Sequence, residues 1–289
     1  MANPPAPFGT HALSPWRESL RRSASLTPSG RLGMWLISLI RKASLMGHPA
    51  GMNGPIDVSV ADGVNARLFP ASNRCEKRAF AGVHIWDETE RSALAKRIAA
   101  HDQNRPFVFL DIGANVGLYS LFVDATARMQ GKKTTIVSVE PDPENRSRLE
   151  FNCAASSCAA YIEAIGISDT AGSGNLTIAG INRGGIAITA DGDGETVRLE
   201  TLAELIKRHD LTHVDAMKVD IEGRDEAALR AMVLDLDSDL WPRLLIVETG
   251  HDSNSPIVEH LLGSGYQLQD RTKINAILEY GNSGTTANG

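Results

Sequence analysis

The chain has 289 residues, with 29 Lys and Arg against 35 Asp and Glu and a net charge of −6. Hydrophobic residues at 42% and charged residues at 22% exclude a largely disordered chain. The acidic balance argues against a nucleic-acid surface, which shows as a basic excess. Three cysteines without a C-x-x-C pair exclude a disulfide framework and structural zinc, and suit a reducing, cytoplasmic compartment.

Four prolines in residues 1–15 mark a flexible lead-in, and residues 16–47 read as helix with a break near Thr27-Pro28-Ser29-Gly30. The apolar run Met34–Ile40 falls far short of the roughly 20 residues that cross a bilayer. It is no signal peptide either, since Arg41-Lys42 stands where a small-residue cleavage site belongs. The first 60 residues hold six Arg and Lys against two acids. The favoured reading is an amphipathic helix packed on the main domain or on a second copy in a homo-oligomer. Peripheral membrane contact through residues 16–47 is the less favoured one. Ile56–Val60, the turn Ala61-Asp62-Gly63 and Ala66–Phe69 read as a β-hairpin. Asp87-Glu88-Thr89-Glu90 opens a helix with acids at its positive end, and Leu94 and Ile98 form its apolar stripe.

Strands and helices then alternate. Apolar runs at Phe107–Leu110, Thr135–Val139, Tyr161–Ile167, Asp215–Val219 and Leu244–Val247 are interleaved with helical patterns at 116–129 and 144–153. Such strands, buried on both faces, mean a doubly wound, mostly parallel α/β sheet. Short β runs at Asn175–Ala179, Gly185–Thr189 and Thr196–Leu199 read as hairpins added at the sheet's edge, and Tyr266–Gln269 with Ala276–Tyr280 as a closing antiparallel pair. Glycines Gly180, Gly184, Gly185, Gly192 and Gly194 suggest a mobile cover. The chain thus divides into a helical and flexible extension at 1–55, an α/β domain at 56–280 and a disordered tail at 281–289.

In such sheets ligands sit at the carboxyl ends of the strands. The first βα loop reads Asp111-Ile112-Gly113-Ala114-Asn115-Val116-Gly117, and Glu140 ends the next strand. A dinucleotide site wants G-x-G-x-x-G with nothing negative beside the pyrophosphate, whereas this loop is G-x-x-x-G with Asp111 at the strand end. S-adenosyl-L-methionine is cationic at its ammonium and sulfonium, which suits Asp111, and Glu140 is placed for both ribose hydroxyls. Glycines Gly113 and Gly117 let the backbone come close to a ligand.

Together with Met217-Lys218-Val219-Asp220-Ile221-Glu222-Gly223, Ile246-Val247-Glu248, Thr201-Leu202 and Asn275-Ala276, this loop resembles the FkbM-type S-adenosylmethionine-dependent methyltransferases over residues 80–280. The family pattern has Asp where this chain has Ala203, a change expected to remove a local cap, and Glu where it has Asp225, which keeps the charge. The resemblance implies a class I, Rossmann-like fold with a seven-stranded sheet, added β-hairpins and an N-terminal helical segment. It also implies O-methylation of a sugar, glycan or secondary-metabolite hydroxyl, with Asp111, Gly113, Ala114, Asn115, Gly117 and Glu140 at the cofactor and Ser168 and Asp169 toward the adenine.

Methyl transfer to a hydroxyl needs alignment and a base. The candidates are Asp220, Glu222, Glu248 and His251, with Lys218 keeping the acids ionised. In a continuous strand Lys218, Asp220 and Glu222 share one face. A divalent metal on Asp220, Glu248 and His251 is the less favoured reading, so no metal ligand is assigned. The competing functions are a nicotinamide-dependent oxidoreductase and a non-catalytic adapter that keeps the fold.

Overall fold

The computed structural model describes residues 4–27, 30–51, 53–71, 73–178, 186–189, 194–250 and 255–281. Helix α1 (Pro15–Arg22), a 3-10 turn (Ser23–Leu26) and α2 (Arg31–Leu45) precede a hairpin of β1 (Ile56–Ala61) and β2 (Val64–Leu68). Helices α3 (Arg74–Ala81) and α4 (Glu88–Ala100) follow, then β3 (Phe107–Ile112), α5 (Leu118–Met129), β4 (Thr134–Val139), α6 (Pro143–Ser156) and β5 (Ala160–Glu163). Next come β6 (Gly166–Ile167), β7 (Gly172–Ile178), β8 (Ile186–Thr189), β9 (Thr196–Glu200) and α7 (Leu202–Arg208). The chain continues through β10 (Ala216–Val219), α8 (Asp225–Asp235), β11 (Leu244–Glu248), α9 (Pro256–Gly263), β12 (Tyr266–Arg271) and β13 (Asn275–Tyr280).

Seven strands form the main sheet in the order β12-β13-β11-β10-β3-β4-β5. β5, β4, β3, β10 and β11 are parallel, and β13 runs antiparallel between β11 and β12. Every residue of β3 and β10 is buried, which is why their sequences are apolar runs rather than alternations. One apolar core lies under the N-terminal hairpin and α3 to α6, the other under α7, α8 and α9. The order reverses between β3 and β10, so the loops after them part and leave a crevice at the strand tips.

Four expectations change. The run Tyr161–Ile167 is not one strand: β5 ends at Glu163, and β6 leaves to pair with β9. The added β runs form a separate four-stranded sheet, β6-β9-β7-β8, rather than extending the main one. The lead-in expected to be flexible is clamped. Asp57 accepts from the backbone N–H of Gly9 (2.8 Å) and His11 (3.0 Å) and pairs with Arg67 at 2.7 Å. Arg67 in turn donates to the carbonyls of Ala6 and Pro7. The loss expected from Ala203 does not leave α7 uncapped, because Thr201 and Glu204 close a capping box.

Helix α2 packs Ile37 and Leu45 inward, while Leu32, Met34, Trp35 and Leu39 stay exposed. Among the described residues no helix is long and apolar enough to cross a membrane. Residues 282–289, and with them nearly all of the expected tail, lie outside the description, as do Gly180, Gly184, Gly185 and Gly192.

Candidate functional site

The sheet register sets the site. Asp111 on β3 stands beside Lys218 on β10, and Val219 beside Val247 on β11, so Asp220 and Glu248 follow side by side at the strand tips. Glu248 is in turn level with Asn275 on β13. β10 stops at Val219, and Glu222 adopts a left-handed φ of 49° in the turn beyond it. The shared strand face therefore covers Lys218 and Asp220, but not Glu222. The turn nevertheless brings Glu222 back, since carboxylate oxygens of Asp220, Glu222 and Glu248 all lie within 4.8 Å of one another. Asp225 fixes that turn by accepting from the N–H of Ile221 and of Gly223.

Lys218 Nζ donates to Asp220 Oδ2 at 2.7 Å and lies 5.1 Å from the centre of the Tyr119 ring. Burial works to lower the lysine's pKa, but the Asp220 and Asp111 charges outweigh it and raise it. Burial likewise works to raise Asp220, yet the Lys218 ammonium and a hydrogen bond from Glu248 hold it below the usual carboxylate range. Glu248 takes the opposite role: burial, then the Asp220 charge, push it up to about 8. Glu222 is raised by burial and by Asp220 and Asp225. At neutral pH, then, Glu248 carries the proton shared with an ionised Asp220. The three acids offer oxygens to a cation, and a divalent ion there would compete with the Lys218 ammonium for Asp220. His251, expected to join them, lies outside the described residues.

The glycine loop is held from within. The N–H groups of Gly113 and Ala114 donate to the Val139 carbonyl, and that of Asn115 donates to Glu140 Oε2 at 2.8 Å. Glu140 Oε1 accepts from Asp142 N at 2.9 Å. Burial pushes Glu140 up to about 7 against the pull of these two bonds. Protein packing also requires both glycines, and Gly113 borders the pockets as well. At Gly113 (φ +79°) a Cβ would stand 1.9 Å from the Asp220 carbonyl oxygen, and at Gly117 (φ +85°) 2.2 Å from Leu149. Asp111 is almost fully buried and caps α5, its Oδ2 accepting from Ser120 N at 3.1 Å and Ser120 Oγ at 2.6 Å.

Two pockets meet at this loop, sharing Gly113, Asn115, Asp220 and Glu222. One is bounded by Glu140, Pro141, Ile165, Ile167 and Arg224, and the other by Asp111, Lys218 and Glu248. Ser168 and Asp169 bond to each other beyond β6, and Arg224 donates to Ser168; neither residue borders the pockets. Helix α3, absent from the sequence reading, closes the second pocket with Arg74, Cys75 and Arg78. Its N-cap Asn73 donates to the Asn115 side chain at 2.9 Å. The signal was there as Asn73 with Glu76 three residues on, a helix-start pattern. Trp86, just ahead of α4, is fully buried against Tyr119 and Phe122.

A family model described as the methyltransferase FkbM domain matches residues 111–268, more than half of the chain. No curated protein sequence matches. Among solved structures, a METTL16 MTase domain (crystal form 2) aligns with a TM-score of 0.51 at 11% identity, covering 92% of this chain and 90% of that one. A SAM-dependent methyltransferase from Agrobacterium tumefaciens gives 0.45 at 10% identity, covering 78% and 69%. TYW2 of M. jannaschii in complex with AdoMet gives 0.40 at 10% identity, covering 78% and 86%. The fold is the class I, Rossmann-like one, with its seven-stranded sheet.

Proposed function

The chain belongs to the FkbM methyltransferase family, and from that premise we propose that it moves a methyl group from S-adenosylmethionine to a hydroxyl oxygen of a sugar, glycan or other small-molecule acceptor. The observation that carries this reading is the row of acids at the strand tips beside the glycine loop. A cationic methyl donor is attracted there, whereas the pyrophosphate of a nicotinamide cofactor is repelled.

The residues suit that donor by their chemistry. Glu140 offers carboxylate oxygens to ribose hydroxyls, Ile165 and Ile167 give an apolar wall for the base, and Asp111 with Asp220 counters the positive end. Bound there, S-adenosylmethionine supplies an electrophilic methyl group on a sulfonium that leaves as a neutral thioether. The chain's own contribution is alignment and proton removal. Asp220, kept ionised by Lys218, accepts the acceptor's hydroxyl proton, and the neighbouring Glu248 sets how strongly Asp220 holds it. A positioned base contributes about 10²–10⁴-fold.

Calorimetry tests the donor: S-adenosylhomocysteine binds and NAD does not. With radiolabelled S-adenosylmethionine and a glycan extract, the label enters an alkali-stable ether, and Asp220→Asn loses most of that transfer. Failure of S-adenosylhomocysteine to bind overturns the reading.

A further inference from the structure

A larger cavity lies between α2, α3, the turn before α4 and the β12–β13 turn, and it is walled by residues outside the matched stretch 111–268. It joins the strand-tip cleft, sharing Arg74, Arg78, Asp87 and Ile274 with it. Its charge runs against that of the chain. The whole protein is at −6, yet Arg41, Arg74, Lys77, Arg78 and Lys273 all border this one space.

Two of its three acids are already engaged. Asp87 pairs with Arg78 at 2.7 Å and accepts from the Tyr119 hydroxyl at 3.0 Å. Glu90 accepts from Asn275 Nδ2 at 2.6 Å and Thr272 Oγ1 at 2.9 Å. The third, Glu88, is exposed in the first turn of α4.

Three of the five cations are not matched in the same way. The side chains of Arg41, Lys77 and Lys273 have no hydrogen bond or ion pair among the described residues. Arg41 is half-buried, and burial lowers its pKa with no acid opposing the shift. Lys77 and Lys273 are exposed at the cavity's rim. On the same wall, both ring nitrogens of His84 are buried with no hydrogen-bond partner among the described residues. A buried polar group left unsatisfied is costly, which holds for His84, while the half-buried Arg41 offers its unmatched donors to a ligand in this space. The two unmatched lysines beside them set its charge as negative.

We propose that this cavity is the acceptor subsite and that the acceptor bears a phosphate, seated among Arg41, Lys77, Lys273 and His84. The hydroxyl to be methylated then reaches the acids of the adjoining cleft. Its role as an acceptor site rests on the methyl-transfer reading, but its anion binding does not. The phosphate has two sources, a soluble sugar phosphate or the headgroup of a lipid-linked acceptor. The exposed Met34 of α2 borders the cavity, and Leu32, Trp35 and Leu39 are exposed elsewhere on the same helix, which gives the second source its own arm of the test.

The probe is inorganic pyrophosphate, titrated by calorimetry into the full chain. We expect millimolar or tighter binding, weakened at least about tenfold by Arg41→Gln combined with Lys273→Gln, since charge-assisted bonds are lost. Lys133→Gln, at the opposite end of the sheet, leaves it unchanged. If the double variant melts early, Lys77→Gln and His84→Phe carry the same comparison. No pyrophosphate binding, or binding indifferent to these substitutions, overturns the proposal. Sedimentation with phosphatidylglycerol vesicles assigns a lipid phosphate if retention depends on Arg41, and pyrophosphate binding without retention assigns a soluble one. A parallel S-adenosylhomocysteine titration separates the readings. If it binds while pyrophosphate does not, the subsite alone fails; the reverse sinks methyl transfer and leaves the anion site standing.

Discussion

Glu140 ties donor binding to pH. Its carboxyl is buried at the tip of β4 and pushed up to about 7, so a proton occupies it under mildly acidic conditions. Both oxygens already accept a backbone N–H, and only the ionised form keeps lone pairs on both for two further donors. Ribose hydroxyls therefore bind the ionised form, and binding releases the proton. At about pH 5.5, some 1.5 units below that pKa, stripping the proton costs about 2 kcal/mol, or about thirtyfold in affinity relative to about pH 8. Calorimetry with S-adenosylhomocysteine across this range reads the effect directly, and repeating it in buffers of different ionisation heat counts the released proton. Glu140→Gln should bind weakly, by about 1–3 kcal/mol, with a flat pH profile. A wild-type affinity that does not change between these pH values would refute both the buried-carboxylate argument and the ribose assignment.

The Asp220–Glu248 pair should show a carboxyl titration near 8 in side-chain ¹³C spectra, and Lys218→Met should move the lower step of the pair upward; no carboxyl titrating above about pH 6 would remove the shared proton. Gly113→Ala should lower stability by at least about 2 kcal/mol in urea unfolding, because the new methyl meets the Asp220 carbonyl at 1.9 Å on a φ of +79°; an unchanged midpoint would contradict that packing. Asp57→Ala should cost about 3–5 kcal/mol by stranding the buried Arg67, and should open residues 4–13 to limited proteolysis. Equal cleavage rates in the variant and the parent would mean the lead-in is held by something else.

The parallel sheet was legible because its strands are buried on both faces and so appear as unbroken apolar runs, as in Phe107–Ile112. The acids at strand ends were legible because a charge that directly ends such a run has only the crevice to face. Three features resisted for physical reasons. Nothing local tells Gly166 and Ile167 that their partners are Leu199 and Glu200 rather than β4, since that choice depends on residues more than thirty positions away. Glu222 returned to the cluster through a left-handed turn that alternation along a strand does not encode. The cationic cavity is assembled from α2, α3 and the β12–β13 turn, so Arg41 and Lys273 come to border one space only through tertiary packing.

The place of β13 bears on how far the protein can be cut. The matched stretch ends at Leu268, within β12, whereas the strand that joins β12 to the rest of the sheet begins at Asn275. A fragment trimmed to residues 111–268 would leave β11 with a bare edge and β12 with no ladder at all. It would also discard Asn73, which steadies the loop at Asn115, and so the smallest autonomous unit must reach well past the recognisable family stretch at both ends.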